Sequence, residues 1–152
     1  MKIRKFKKSD ANEAAKLIIK NDLEVAVKFY PKKVVSARLK EITPAKILKK
    51  SVKRICFVAE ENKKIIGYIS LSGNEIKKCF VLPKYHKRGI GRKLVFKIEK
   101  IAKIKGIKKL VLYSNFYTEK FYKKCGFKRL KIIWENVGDL KFKQIYMEKK
   151  LK

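Results

Sequence analysis

Residues 81 to 94 read VLPKYHKRGIGRKL. An apolar pair runs into Pro83, then a basic run, then Gly89-Ile90-Gly91, then a segment with helical periodicity. Glycine at a strand-to-helix turn lets the backbone adopt conformations closed to other residues and approach a ligand closely. The first N–H groups of the helix lack internal partners and lie at the positive end of its dipole. Together these features make an anion site suited to phosphate, and Lys87, Arg88 and Arg92 add positive charge around it. Two common phosphate loops are excluded. The stretch has no G-x-x-x-x-G-K-[ST], and Leu94 stands where the dinucleotide fingerprint needs its third glycine.

The chain on either side supplies the context. Residues 2 to 6, KIRKF, alternate as a short strand does. Asp10 with Glu13 three residues later predicts a boxed helix start and a helix over about 10–20. Residues 23 to 50 hold one or two helices, one of them opened by Thr43 as N-cap and Pro44 at N1. From Arg54 the period changes. ICFVAEE, KIIGYISLSG and EIKKCFVLP are β-branched and aromatic, and short turns divide them, which predicts three antiparallel strands. Ile90, Leu94, Ile98 and Ile101 then mark an amphipathic helix closed by Gly106. KKLVLYS reads as a strand, NFYTEKFYKKCGF as a short helix ended by Gly126, and KRLKIIWEN with FKQIYMEKKL as a final antiparallel pair. The fold class is α/β of the α+β kind: a mixed, mostly antiparallel sheet flanked by helices.

With this order in view, VLPKYHKRGIGRKL resembles motif A of the GNAT superfamily of N-acetyltransferases, V-x-P-x-[YFW]-[RQ]-x-x-G-x-G. SNFYTEKFYKKCGF is similar to that family's N-x-x-A-x-x-F-Y-x-K-x-G-F motif, and IRKFKKSDANEAAKLI to its first strand and helix. The resemblance spans nearly the whole chain and implies one GNAT domain over 1–152. His86 departs from the usual Arg or Gln, Lys87 from a common glycine, and Thr118 from a common alanine.

The resemblance implies acetyl-CoA as acetyl donor and direct attack by a primary amine in a ternary complex. The diphosphate would rest on the backbone of Arg88, Gly89, Ile90, Gly91 and Arg92, with Lys87 adding charge and His86 offering a ring N–H. The pantetheine arm would pair like an added strand with Val81, Leu82 and Pro83, and Asn115 would contact it. Tyr122 matches the tyrosine near the CoA sulfur and would protonate the leaving thiolate.

The chemistry also needs a neutral amine, whereas a lysine amine has a pKa near 10.4, and a donor for the developing oxyanion, which a strand N–H can supply. Glu75 is the candidate base. It stands six residues before Val81, so the two share a strand face unless a bulge intervenes. Glu60 and Glu61 are further options.

Composition bounds the rest. Lys and Arg number 43 against 13 Asp and Glu in 152 residues, a formal charge of +30 that repels polycations such as spermidine and attracts polyanions. The acceptor is therefore expected to be a neutral or acidic amine, on a small molecule or a protein, and a nucleic-acid or ribonucleoprotein partner is compatible with the charge. Two other readings are an acyl-CoA-binding protein of this fold without acetyl transfer, and a basic nucleic-acid module. No apolar run reaches membrane-span length and the start lacks an apolar leader, so the expected location is cytoplasmic. Cys56, Cys79 and Cys125 are widely spaced and there is one histidine, a pattern of free thiols without a metal site.

Overall fold

The computed structural model describes residues 1–152. The strands are β1 Lys2–Lys5, β2 Ile55–Glu61, β3 Lys64–Ser72, β4 Glu75–Val81, β5 Lys109–Ser114, β6 Lys128–Val137 and β7 Leu140–Lys150. The helices are α1 Ala11–Glu24, α2 Lys32–Lys40, α3 Pro44–Ser51, α4 Ile90–Ile104 and α5 Glu119–Lys124. One sheet of seven strands has the order β1-β2-β3-β4-β5-β7-β6, antiparallel throughout except where β4 meets β5. This is the mixed, mostly antiparallel α/β sheet expected from the sequence. No helix is long and apolar enough to cross a membrane.

Local chemistry explains the boundaries. Thr43 caps α3 by accepting from the Lys46 N–H at 3.1 Å, with Pro44 behind it. Gly106 and Gly126 end α4 and α5 with φ of +78° and +96°. The box predicted between Asp10 and Glu13 does not form. Asp10 instead accepts from the Lys7 N–H at 2.7 Å and from both terminal nitrogens of Arg4 at 2.9 Å, while Glu13 accepts from the Ile65 N–H. Both carboxylates tie α1 to the sheet, and α1 runs four residues past the expected end.

The core lies on both sides of β2–β4. Leu94, Ile98 and Ala102 of α4 are fully buried on one face, and Leu17 and Ile18 of α1 pack on the other. Glu99 of α4 is buried but paired with Lys149 of β7 at 2.7 Å, which pins the helix to the second half of the sheet.

Two irregularities shape the centre. Between β3 and β4 the register slips, so that Ser70 faces Lys78 but Leu71 faces Ile76, and Lys77 is the extra residue of a bulge. Between β4 and β5 only Glu75 and Val111 pair, beside one bond from the Val111 N–H to the Asn74 carbonyl. Past that point the two parallel strands diverge, and the sheet opens as a wedge along β4.

Candidate active site

Motif A forms the wide end of the wedge. Leu82 and Pro83 leave β4 through one tight turn, in which the Tyr85 and His86 N–H groups donate to the Leu82 and Pro83 carbonyls. Lys87 and Gly89 are both left-handed, with φ of +65° and +78°. Lys87 therefore stands where glycine would be unstrained. The first α-helical bond of α4 runs from the Lys93 N–H to the Gly89 carbonyl. The amides of Ile90, Gly91 and Arg92 precede it and have no partner within the helix. Gly91 serves packing: a Cβ there would lie 3.0 Å from the Phe121 ring of α5. Arg88 lies over the Tyr85 ring at 5.1 Å and pairs with Glu61 at 2.9 Å. Glu61 and Glu60, the latter held by Arg4, are thus both engaged in ion pairs.

Two expectations about this segment change. The His86 ring was expected to offer its N–H to phosphate, but Nε2 lies 2.8 Å from the Val81 carbonyl, an acceptor only, so the ring N–H points back into the chain. Its backbone N–H is bonded to Pro83. The same Val81 carbonyl also accepts from Asn21 Nδ2 of α1 at 2.8 Å. Pro83 has no N–H, and the Leu82 N–H donates to Ile66 of β3 at 2.9 Å. Strand pairing alternates, so Phe80 and Lys78 also direct their backbone groups toward β3, while Val81 and Cys79 direct theirs into the wedge. The free edge is therefore the Val81 N–H with both groups of Cys79, shifted toward the narrow end from the expected 81–83.

Tyr122 of α5 lies behind this edge. It is buried against Phe121 and Phe127, and its hydroxyl neighbours the Cys79 thiol. Burial, with the two thiols Cys79 and Cys125 beside it, pushes the Tyr122 hydroxyl well above its usual pKa of 10. Burial likewise pushes the Cys79 thiol up to about 12. Both are neutral proton carriers at physiological pH. Asn115 follows β5 across the wedge. Its Oδ1 accepts from the N–H and hydroxyl of Thr118 at 2.7 and 3.1 Å, which shapes the turn into α5, and its side chain reaches the Tyr30 hydroxyl. Thr118, the departure from the motif's alanine, is thus part of that turn.

Glu75 lies at the narrow end, where β4 and β5 still pair. The bulge at Lys77 breaks the even spacing on which its shared face with Val81 depended. Its carboxylate pairs with Lys77 at 3.0 Å.

The opposite face of β4 carries charges that the motifs did not flag. Lys78 and Phe80 project under α1, α2 and α3, with Lys78 Nζ 5.9 Å from the Phe80 ring centre. Burial and the cations Lys50, Arg38 and Arg54 push the Lys78 amine down to about 8. Asp22 of α1 is 1% exposed and accepts from Arg38 at 3.3 Å. The Arg38 guanidinium in turn lies over Tyr30. A polar residue late in an amphipathic helix is the only sequence signal for Asp22. Lys78 was one lysine among many. Two surface clefts, of about 370 and 570 Å³, lie elsewhere; the smaller touches motif A only at Leu82, Pro83 and Lys84. No cluster of three His, Cys, Asp or Glu side chains is placed to hold a metal ion.

Residues 53–129 match the family described as acetyltransferase (GNAT) domain. No curated protein sequence matches the chain. Among solved structures, the fold is similar to the paia N-acetyltransferase of Thermoplasma acidophilum in complex with coenzyme A, at 25% identity, 98% coverage of each chain and a TM-score of 0.83. A GCN5-related N-acetyltransferase from Rhodopseudomonas palustris aligns with a TM-score of 0.91 at 20% identity, over 99% of this chain and 95% of that one. Salmonella typhimurium yncA, solved with its cofactor acetyl-CoA, aligns at 20% identity and a TM-score of 0.71, over 100% and 94%.

Proposed function

Because the chain belongs to the GNAT acetyltransferase family, we propose that it moves the acetyl group of acetyl-CoA to a primary amine, by direct attack in a ternary complex within one domain spanning 1–152. The observation that carries the reading is the wedge. A free strand edge at Cys79 and Val81 runs into the unpartnered amides of Ile90, Gly91 and Arg92, in the order an extended arm with a terminal diphosphate requires. The relatives solved with coenzyme A and acetyl-CoA support the same ligand.

The chain's residues fit that ligand by their chemistry. The α4 amides and the side chains of Lys87 and Arg92 take the diphosphate, with Arg88 and Gly89 shaping the loop. Asn115 borders the arm on the β5 side. Acetyl-CoA supplies an activated thioester. The Cys79 N–H, held rigidly in the strand, is the donor aimed at the acyl oxygen. As the C–N bond forms and the C–S bond breaks, Tyr122 gives its proton to the departing sulfur, and the proton shed by the amine nitrogen passes to solvent, from which the Tyr122 oxygen, held well above its usual pKa, is reprotonated. His86 acts on the loop, not on phosphate, by fastening it to the Val81 carbonyl. Glu75, ion-paired at the closed end, is assigned no proton transfer.

Calorimetric titration with acetyl-CoA, with dephospho-CoA and a short RNA as comparators at two salt concentrations, tests the reading. Micromolar binding of acetyl-CoA that survives higher salt is expected. Binding of all polyanions alike, abolished by salt, would instead identify a nucleic-acid surface. Tight acetyl-CoA binding with no thiol release for any amine would identify an acyl-CoA-binding protein without transfer.

A further inference from the structure

The few carboxylates of this chain are nearly all engaged. Glu13 holds the Ile65 N–H, and every other one sits in an ion pair except Glu135 and Asp139. Those two lie on the β6–β7 hairpin, at one edge of the sheet. At the opposite edge, around β1, β2 and the α4 helix that covers β2, the cations are left without carboxylate partners.

The outer surface of α4 carries two adjacent rows at four-residue spacing. One runs Lys93, Lys97, Ile101 and Lys105, and the other Arg92, Phe96, Lys100 and Ile104. Residues four apart on a helix stand one above the other, about 6 Å apart along the axis. Arg92 belongs to the diphosphate site. Beyond it, cationic and apolar side chains interleave toward the C-terminal end. Phe96 is 55% exposed and Ile104 82%, so neither serves the core. Lys100 Nζ lies 4.9 Å from the Phe96 ring centre, and Lys97 Nζ 5.2 Å from that of Phe57 on β2.

The rows lead into the larger surface cleft, of about 570 Å³. Ile101, Ile104 and Lys105 line it with Phe6, Phe57 and the cations Lys5, Lys8 and Arg54, and no carboxylate does. The smaller cleft is different: Glu13 and Glu24 stand among its lysines, and Lys20 pairs with Glu24. An excess of lysine over the whole chain does not by itself leave a cleft apolar and free of carboxylates.

We propose that this face binds a single-stranded nucleic acid, with phosphates on Lys97, Lys100 and Lys105, one base stacked on Phe96 and another seated in the cleft. The proposal does not depend on the acetyltransferase reading, because the track begins where the diphosphate site ends. The interleaving is what selects the partner. A single strand presents a phosphate and a flat apolar base at every nucleotide, and cationic grooves with aromatic platforms suit it. The cleft volume falls within the range of about 300–1,000 Å³ that small-molecule sites occupy, enough for a nucleoside. A duplex hides its base faces, a lipid surface is too flat to fill the cleft, and an acidic peptide brings no ring with each charge.

The probe is a labelled oligouridylate of roughly ten nucleotides, titrated by fluorescence anisotropy from about 50 to 200 mM salt. Polyphosphate, polyglutamate and phosphatidylglycerol vesicles are the comparators. Lys97→Gln, Lys100→Gln and Lys105→Gln together should weaken RNA binding by about tenfold or more. They should also flatten the salt slope by about 2, since each phosphate contact on a single strand contributes about 0.7. Lys32→Gln, Lys33→Gln and Lys40→Gln remove the same charge from the exposed side of α2 and should cost less than about threefold. Phe96→Ala should weaken RNA binding by about tenfold and leave polyphosphate binding unchanged. An absence of RNA binding overturns the proposal, as do equal losses in the two triple variants or an RNA affinity indifferent to Phe96→Ala. Polyglutamate or vesicles binding as tightly as RNA, and losing that binding in the α4 variant, would overturn it in favour of an acidic protein or a membrane. Acetyl-CoA affinity is measured in parallel, and its failure would count against the preceding reading alone.

Discussion

On the α4–α5 face of β4, Cys79 and Val81 meet Tyr122, Phe121 and the first turn of α4. On the α1–α3 face, Lys78 and Phe80 meet Asp22, Arg38, Lys50 and Arg54. The first face is apolar and close-packed, and its unpaired groups belong to the backbone. The second is charged and partly open, and its unpaired groups are side chains. The difference teaches how one strand can present a rigid backbone edge on one side and a set of charged side chains on the other. Backbone donors on a rigid edge suit a ligand of fixed shape, whereas side chains are what differ among proteins of one fold.

The largest expected effect strikes the first face. Tyr122→Phe removes one hydroxyl from a buried, neutral tyrosine and keeps the ring packing on Phe127. We expect kcat to fall about a hundredfold with acetyl-CoA affinity unchanged, the scale for loss of a positioned acid. Because burial holds Tyr122 well above 10, the wild-type rate should show no loss attributable to this group as pH rises from 7 to 9. A descending limb in that range that disappears in Tyr122→Phe would show that the hydroxyl is not held up in this way.

Gly91→Ala is next. Its Cβ would lie 3.0 Å from the Phe121 ring, which is boxed in by Tyr122. Overpacking of this kind costs about 1–3 kcal/mol. Thermal unfolding should show the loss, and acetyl-CoA binding should weaken as α4 shifts from the wedge. Gly89→Ala has open space but a φ of +78°, so it should lose about 1 kcal/mol through backbone strain alone.

A third comparison uses pH. Lys78 is held at about 8 in the fold, against about 10.4 in an unfolded chain. Between those values the unfolded chain binds more protons, so stability rises with pH from about 8 to 10.4 through this residue. Lys78→Met should remove that rise and raise the melting temperature at pH 7. Cys79 opposes it: with its folded pKa raised to about 12, its contribution is full below the unfolded value and is lost as pH climbs toward 12. Melting curves of Lys78→Met and Cys79→Ala from pH 7 to 10 separate the two slopes.

The two faces also differ in how far the sequence disclosed them. Motif A, the strand meander and the α5 motif were legible because glycines, β-branched runs and an aromatic pair at fixed spacing constrain the backbone. The seven strands and the two main helices follow from them. The bulge at Lys77 was not legible, since EIKKCFV keeps an unbroken strand pattern. Nor was the role of His86, which depends on a carbonyl five residues back that only the turn brings within 2.8 Å. The charged face depends on α1, α2 and the Arg54 segment being brought over one lysine of β4, a tertiary fact that no local pattern carries in a chain with 43 basic residues.

The smallest expected effect is at Glu75, and it tests that bulge directly. In a regular strand, Glu75 and Val81 would project to one side and the carboxylate could serve the wedge. One inserted residue reverses this parity. The Glu75 carboxylate pairs with Lys77 at 3.0 Å at the end where β4 and β5 are still bonded. An ion pair this exposed contributes about 0–1 kcal/mol. Glu75→Gln should therefore change kcat/KM by less than about threefold and leave the pH profile in place. A fall of about a hundredfold with loss of the acidic limb would instead mark Glu75 as a base. It would require the strand to straighten at Lys77 when acetyl-CoA enters the wedge, which the Ser70–Lys78 and Leu71–Ile76 pairing opposes.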